Sequence, residues 1–105
     1  MINKTDLVSA ILAAGYLTLL SGCDQSSPGA RIMQREKCFE CHTISGKGGA
    51  VGPNLTTVGS RRSRDYIVEQ IKNPSAHRTD SAMPSFKHLP DQDIQAIADY
   101  LSRLN

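Results

Sequence analysis

The chain has 105 residues, 39% of them apolar and 5% aromatic, with no Trp. Twelve Lys and Arg side chains against ten Asp and Glu leave a formal charge of +2. That admits one small domain and excludes a multidomain machine; with no basic stripe along the chain, it also excludes a nucleic-acid binder that works by counterion release. So short a chain with so few aromatic side chains needs a disulfide set, a metal or a cofactor to supplement its core. Its three Cys cannot all pair with one another, so a disulfide framework is not the default.

Residues 1–22 differ from the rest. Lys4 is the only basic residue before Arg31, and the fourteen residues 7–20 (LVSAILAAGYLTLL) form an uncharged, mostly apolar run. As a helix this run rises about 21 Å, short of the roughly 30 Å hydrocarbon core, so it reads as the apolar part of a secretion signal rather than a spanning helix. The quartet Leu20-Ser21-Gly22-Cys23 resembles the bacterial lipobox, which implies cleavage before Cys23 and acylation of that cysteine. The alternatives are an ordinary cleaved signal that leaves a free thiol, and a retained N-terminal membrane helix. The expected organisation is a lipoprotein signal peptide over 1–22, an acylated N-terminus and tether over 23–28, and one domain over 29–105. One acyl chain holds a protein only marginally, whereas the two or three carried by lipobox proteins imply a lasting tether to the lipid bilayer. The domain then faces the periplasm. Asp24, directly after the lipidated Cys, is an inner-membrane retention signal in enteric bacteria, so the inner membrane stays open as the site of anchoring.

Ser27 and Pro28 suit an N-cap and first helical position, opening a helix through about residue 40 with Ile32 and Met33 on its apolar side. Its end carries Cys38-Phe39-Glu40-Cys41-His42. The pattern C-x-x-C-H reads as attachment of one haem c: two thiols on one turn each add to a haem vinyl group, and the adjacent His42 reaches the iron from the same side. Thioredoxin-type redox chemistry would need a βαβ context that is absent from this pattern, and a zinc site would need a second Cys/His pair at ligand spacing. His77 and His88, eleven apart, do not supply one.

The next stretch, residues 43–60, holds Gly46, Gly48, Gly49, Gly52 and Gly59, and reads as a compact loop. Ser63 then caps a helix to about Lys72, with Ile67 and Ile71 on one face, and Asn73-Pro74 ends it. Arg61, Arg62 and Arg64 form the densest basic cluster; either Arg61 or Arg64 could pair with a haem propionate, or the cluster is a solvated helix start. The second axial ligand is drawn from Met33, Met83, His77 and His88. Met33 sits on the helix of the attachment motif and reads as core. Met83 lies in an extended stretch between Pro74 and Pro84 able to reach the far side of the ring, and a thioether there favours ferrous iron. His77 and His88 read as solvated loop residues, Lys47 and Lys87 either as plain surface charges or as groups around an exposed haem edge that steer an acidic partner, and Phe86 as a residue packed on the haem. From Ile94, the positions Ile97, Ala98, Leu101 and Leu104 follow a helical period, with Asp91 and Asp93 in the first turn and Arg103 in the last.

The motif CFECH, Gly52-Pro53-Asn54-Leu55, Met83-Pro84-Ser85-Phe86 and the final amphipathic helix together resemble the small class I c-type cytochromes over residues 30–104. The resemblance implies an all-α cytochrome c fold of three to four short helices wrapped around one covalently bound haem, with His42 and Met83 on the iron. It also implies that the Pro53 carbonyl accepts the His42 ring N–H, and that Ala30 meets Tyr100 where the first and last helices cross. One departure is Gln34 in place of the Phe common four residues before the first Cys, which implies either a less tightly packed crossing of the two helices or compensation by Met33. The short loop before the Met is similar to the short soluble cytochromes of photosynthetic electron transfer. The lipobox looks more like the monohaem outer-membrane lipoprotein cytochromes of metal-reducing bacteria, which favours the outer membrane. The expected function is a membrane-tethered, monomeric one-electron carrier whose partners are other redox proteins. With no nucleophile, general base or open metal site, it is not expected to be an enzyme by itself. The alternatives are a gas sensor in which Met83 is displaced, and a small peroxidase that would need His77 or His88 in an open distal site.

Overall fold

The computed structural model describes residues 27–105; the expected signal peptide, Cys23 and Asp24 lie outside them. Among the described residues four α-helices carry the fold: α1 (Pro28–Arg35), α2 (Val58–Arg61), α3 (Arg64–Lys72) and α4 (Asp91–Ser102). They are joined by short 3₁₀ turns at Cys38–Glu40 and Pro74–Ala76. The ends of α1 and α3 follow from local chemistry. The Ser27 and Ser63 hydroxyls accept from Ala30 N and Tyr66 N, satisfying donors that have no partner inside the first turn.

The first helix is shorter than its sequence suggests. It stops at Arg35, and Lys37 then takes a left-handed conformation (φ 64°) that turns the chain into the Cys38–Glu40 turn. Such a position is usually glycine, and a lysine there costs about 1 kcal/mol, which is why no stop signal shows in the sequence. The glycine-rich stretch is also more ordered than a loop. Thr43–Ile44 (β1) pairs antiparallel with Lys47–Gly48 (β2) around Ser45 and Gly46, both at positive φ, the geometry of a two-residue hairpin turn. Two strands of two residues are too short to read from alternation.

Helix α4 lies against α1 and α3. Its Ile94, Ile97, Ala98 and Leu101 are buried against Met33 of α1 and Ile67 and Ile71 of α3, with Ile44 and Val58 closing the same core. Met33 is 1% exposed and Gln34 faces solvent, so Met33 does fill the position beside the atypical glutamine. The crossing of α1 with α4 rests on Gly29 rather than Ala30. A Cβ at Gly29 would overlap the Ala96 carbonyl and come within 2.6 Å of Tyr100 Cβ, whereas Ala30 is only half-buried. Arg35–Asp93 (2.8 Å) ties α1 to α4, and Arg64–Asp99 (2.7 Å) ties α3 to α4. Being exposed, each pair contributes about 0–1 kcal/mol and fixes register more than stability.

Candidate functional site

The attachment motif occupies a turn held from several sides. Both Cys41 N–H and His42 N–H donate to the Cys38 carbonyl, Gly49 N–H donates to the Phe39 carbonyl at 2.8 Å, and Gly52 N–H donates to the Cys41 carbonyl at 2.7 Å. The glycine loop therefore folds back over the motif. A Cβ at Gly49 would overlap the Glu40 carbonyl, so only the bare backbone can approach that closely.

His42 is oriented by this loop. Its Nδ1 donates to the Pro53 carbonyl at 2.7 Å, and Gly52 lies flat against the ring, where a Cβ would stand 2.6 Å from Cε1. Pinning Nδ1–H leaves Nε2 as the lone-pair nitrogen, the state in which an imidazole can ligate a metal. His42, Cys38 and Met83 line one cleft together with Met33, Glu36, Leu55, Ile71, Phe86, Ile97 and Leu101. Glu36 apart, every lining side chain is apolar, thiol, imidazole or thioether. Burial pushes the Cys38 thiol up to about 11, and the carboxylate of Glu36 adds to the rise.

Met83 reaches the cleft from a loop clamped to the end of α3. Phe86 N–H donates to the Ile71 carbonyl at 2.9 Å, Ser85 Oγ–H donates to the Lys72 carbonyl at 2.5 Å, and Met83 N–H donates to Ser81 Oγ at 3.3 Å. Gln70 of α3 donates from Nε2 to Met83 Sδ at 3.5 Å. The residues thus fit a haem: an apolar cleft, one imidazole with a free nitrogen, one thioether, and a thiol on the wall with a second, Cys41, exposed beside it.

Other residues singled out from the sequence stand elsewhere. Neither Arg61 nor Arg64 lines the cleft: Arg61 donates to the Asn54 carbonyl at 2.8 Å, and Arg64 is engaged by Asp99 and the Gln95 carbonyl. His88, Lys47 and Lys87 are exposed. His77 is not the solvated loop residue expected, because its ring stacks on Tyr66 and bonds to Gln70. Gln70 itself carries no motif, and only the fold brings it to Met83.

Residues 24–101 match the family described as cytochrome c oxidase, cbb3-type, subunit III. The chain is 26% identical over 87 residues to cytochrome c oxidase subunit 2 of Alkalihalophilus pseudofirmus, covering 75% of this chain and 25% of that protein. It is 30% identical over 82 residues to a nitric oxide reductase subunit of Paracoccus denitrificans, covering 70% of this chain and 54% of that protein. It therefore spans about a quarter and about half of these two relatives. Both are named as subunits of an oxidase or a reductase, which gives no support to the gas-sensor alternative. A domain of this kind binds haem c covalently and serves haem-based electron transfer. The helical fold, the cleft and the match over most of the chain together make it a class I c-type cytochrome, belonging to the family of cbb3-type cytochrome c oxidase subunit III.

Proposed function

We propose that the chain is a monohaem one-electron relay, with haem attached through Cys38 and Cys41, ligated by His42 and Met83, and tethered to a membrane through acylated Cys23. The observation that carries the ligand assignment is that His42 and Met83 line one apolar cleft, with His42 Nδ1 committed to Pro53. When bound, the haem supplies the ferric/ferrous couple. The chain's own part is to hold and insulate it. Pro53 and Gly52 set the His42 ring, Gln70 faces the Met83 sulfur, and Met33, Leu55, Ile71, Phe86, Ile97 and Leu101 keep water from the cleft. Redox proteins are the natural partners; the oxidase and reductase activities named for the relatives belong to those whole proteins, and this chain passes electrons without catalysing a reaction of its own.

The ligand assignment predicts a weak near-infrared sulfur-to-iron band in the ferric holoprotein, and its loss in Met83→Ala. The variant should also bind carbon monoxide readily in the ferrous state, where the parent does not. A band that survives the substitution removes Met83 from the iron.

The anchor rests on the lipobox-like LSGC and on the apolar run before it. Among the described residues no helix is long and apolar enough to cross a membrane. Cys23→Ser, expressed from the full chain in a bacterial host, should leave the membrane fraction almost entirely. Retention there would replace the acyl anchor by an uncleaved helix. The periplasm is the compartment in this reading, with outer and inner membrane distinguished by fractionation.

A further inference from the structure

Gln70 and His77 form a hydrogen-bonded chain leading to Met83. Gln70 Nε2 lies 3.5 Å from Met83 Sδ, and Gln70 Oε1 lies 2.7 Å from His77 Nδ1. A thioether can only accept, so the amide must turn its NH₂ end to Met83. The amide oxygen can also only accept, so His77 must carry its proton on Nδ1. The direction of the chain is therefore fixed, from His77 to Gln70 to Met83.

His77 is held in place for this. Its ring stacks on Tyr66 at a centroid separation of 3.9 Å and an interplanar angle of 10°, and its side chain is only 19% exposed. The Arg62 guanidinium lies 4.5 Å from the Tyr66 ring centre. His77 Nε2 stands 4.0 Å from Glu69 Oε2, beyond hydrogen-bond range, so Nδ1 makes the directional contact.

We infer that His77 is a positioning residue for the Met83 sulfur: by donating to Gln70 Oε1 it fixes the Gln70 amide so that an N–H points at Met83 Sδ, which raises the reduction potential. This rests on the proposed ligation by Met83. An N–H dipole at the sulfur draws density from its lone pairs and disfavours ferric iron, the opposite of a bond donated by the ligand itself, which raises ligand basicity. Without a donor at Oε1 the amide is free to rotate, and its oxygen end would present the opposite sign to the sulfur. Loss of His77 and loss of Gln70 therefore act through one contact and should not add.

The test is potentiometry on the holoprotein, with the near-infrared band read first. Gln70→Leu and His77→Phe should each shift the midpoint potential negative, and the double variant should shift no further than Gln70→Leu alone. His77→Asn should keep the parent potential, because its amide nitrogen can stand where Nδ1 stood although the stack on Tyr66 is lost. A role in packing alone predicts the reverse order, with Phe tolerated and Asn not, and that order would overturn the inference. Should His77→Phe not yield folded holoprotein, Gln70→Glu decides, since a carboxylate has no N–H for the sulfur; an unchanged potential there also overturns it. Absence of the band from the parent defeats ligation by Met83 itself, whereas a band with potentials unmoved in Gln70→Leu defeats only the chain from His77.

Discussion

Replacing both Cys38 and Cys41 by alanine is expected to leave a chain that no longer holds its helices. The buried apolar core is small: Met33, Ile44, Val58, Ile67, Ile71, Ile94, Ile97, Ala98 and Leu101, with no aromatic ring among them. Phe39, Phe86, Leu55 and Leu89 pack against it only partly buried. A domain this size buries roughly 60–65% of the surface its unfolded chain exposes, and domains in general keep only about 5–15 kcal/mol of net stability. The haem that the family carries is a largely apolar body larger than any of these side chains, and Leu55, Phe86 and Met83, which line the cleft, would gain burial against it. Without the two thioether attachments the far-ultraviolet circular dichroism should fall to that of a largely unfolded chain, with no cooperative thermal transition. A cooperative melt in the Cys38→Ala/Cys41→Ala protein would show that the protein core suffices alone.

How far the sequence carries the fold depends on where each instruction is written. Helices α3 and α4 are legible because their signals are local: Ser63 at the N-cap, Asn73-Pro74 at the stop, Ile67 with Ile71, and Ile94 with Ile97, Ala98 and Leu101 at helical spacing. The end of α1 is not, because Lys37 adopts a left-handed conformation that lysine seldom takes, and the surrounding turn, rather than the residue, imposes it. The hairpin of β1 and β2 escapes for a different reason. Its Ser45-Gly46 turn is a hairpin cue, but the strands are too short for any period to appear.

The site divides in the same way. Cys38, Cys41 and His42 stand in one motif, and Met83, the proposed second ligand, is singled out because it lies on an extended loop, which the structure brings to the cleft that His42 lines. The contact on the Met83 sulfur comes instead from Gln70, thirteen residues away, which neither residue type nor spacing marks, and from His77 through Gln70, a residue the sequence offers only as a candidate ligand. Arg64 shows the converse. A guanidinium beside a cofactor domain suggests a propionate partner, yet Asp99, thirty-five residues later, engages it on α4. Pairings between distant segments are decided by packing, and composition does not encode them.

Gly52→Ala is expected to disturb the haem site more than the fold. The added Cβ would stand 2.6 Å from His42 Cε1, 2.9 Å from Nδ1 and 3.2 Å from Nε2, all across one face of the imidazole. Contacts that short require movement, and the backbone at Gly52 is itself fixed by its bond to the Cys41 carbonyl. The ring must therefore shift, lengthening its hydrogen bond to Pro53 and displacing Nε2 from the position set for the iron. Overpacking of this kind costs about 1–3 kcal/mol, which for a domain of this size lowers the melting temperature by roughly 4–8 °C per kcal/mol. The spectroscopic change should exceed what that loss suggests, with a ferric high-spin component and carbon monoxide binding on the His42 side of the ligand set. Gly46→Ala supplies the contrast. Gly46 has φ +79° but open space around it, so alanine there meets backbone strain of about 1–2 kcal/mol and no neighbour. It should lower the melting temperature by a similar amount and leave the haem spectrum unchanged. Equal spectra in the two variants would mean that Gly52 does not set the His42 ring, and that the hydrogen bond from Nδ1 to the Pro53 carbonyl orients it unaided.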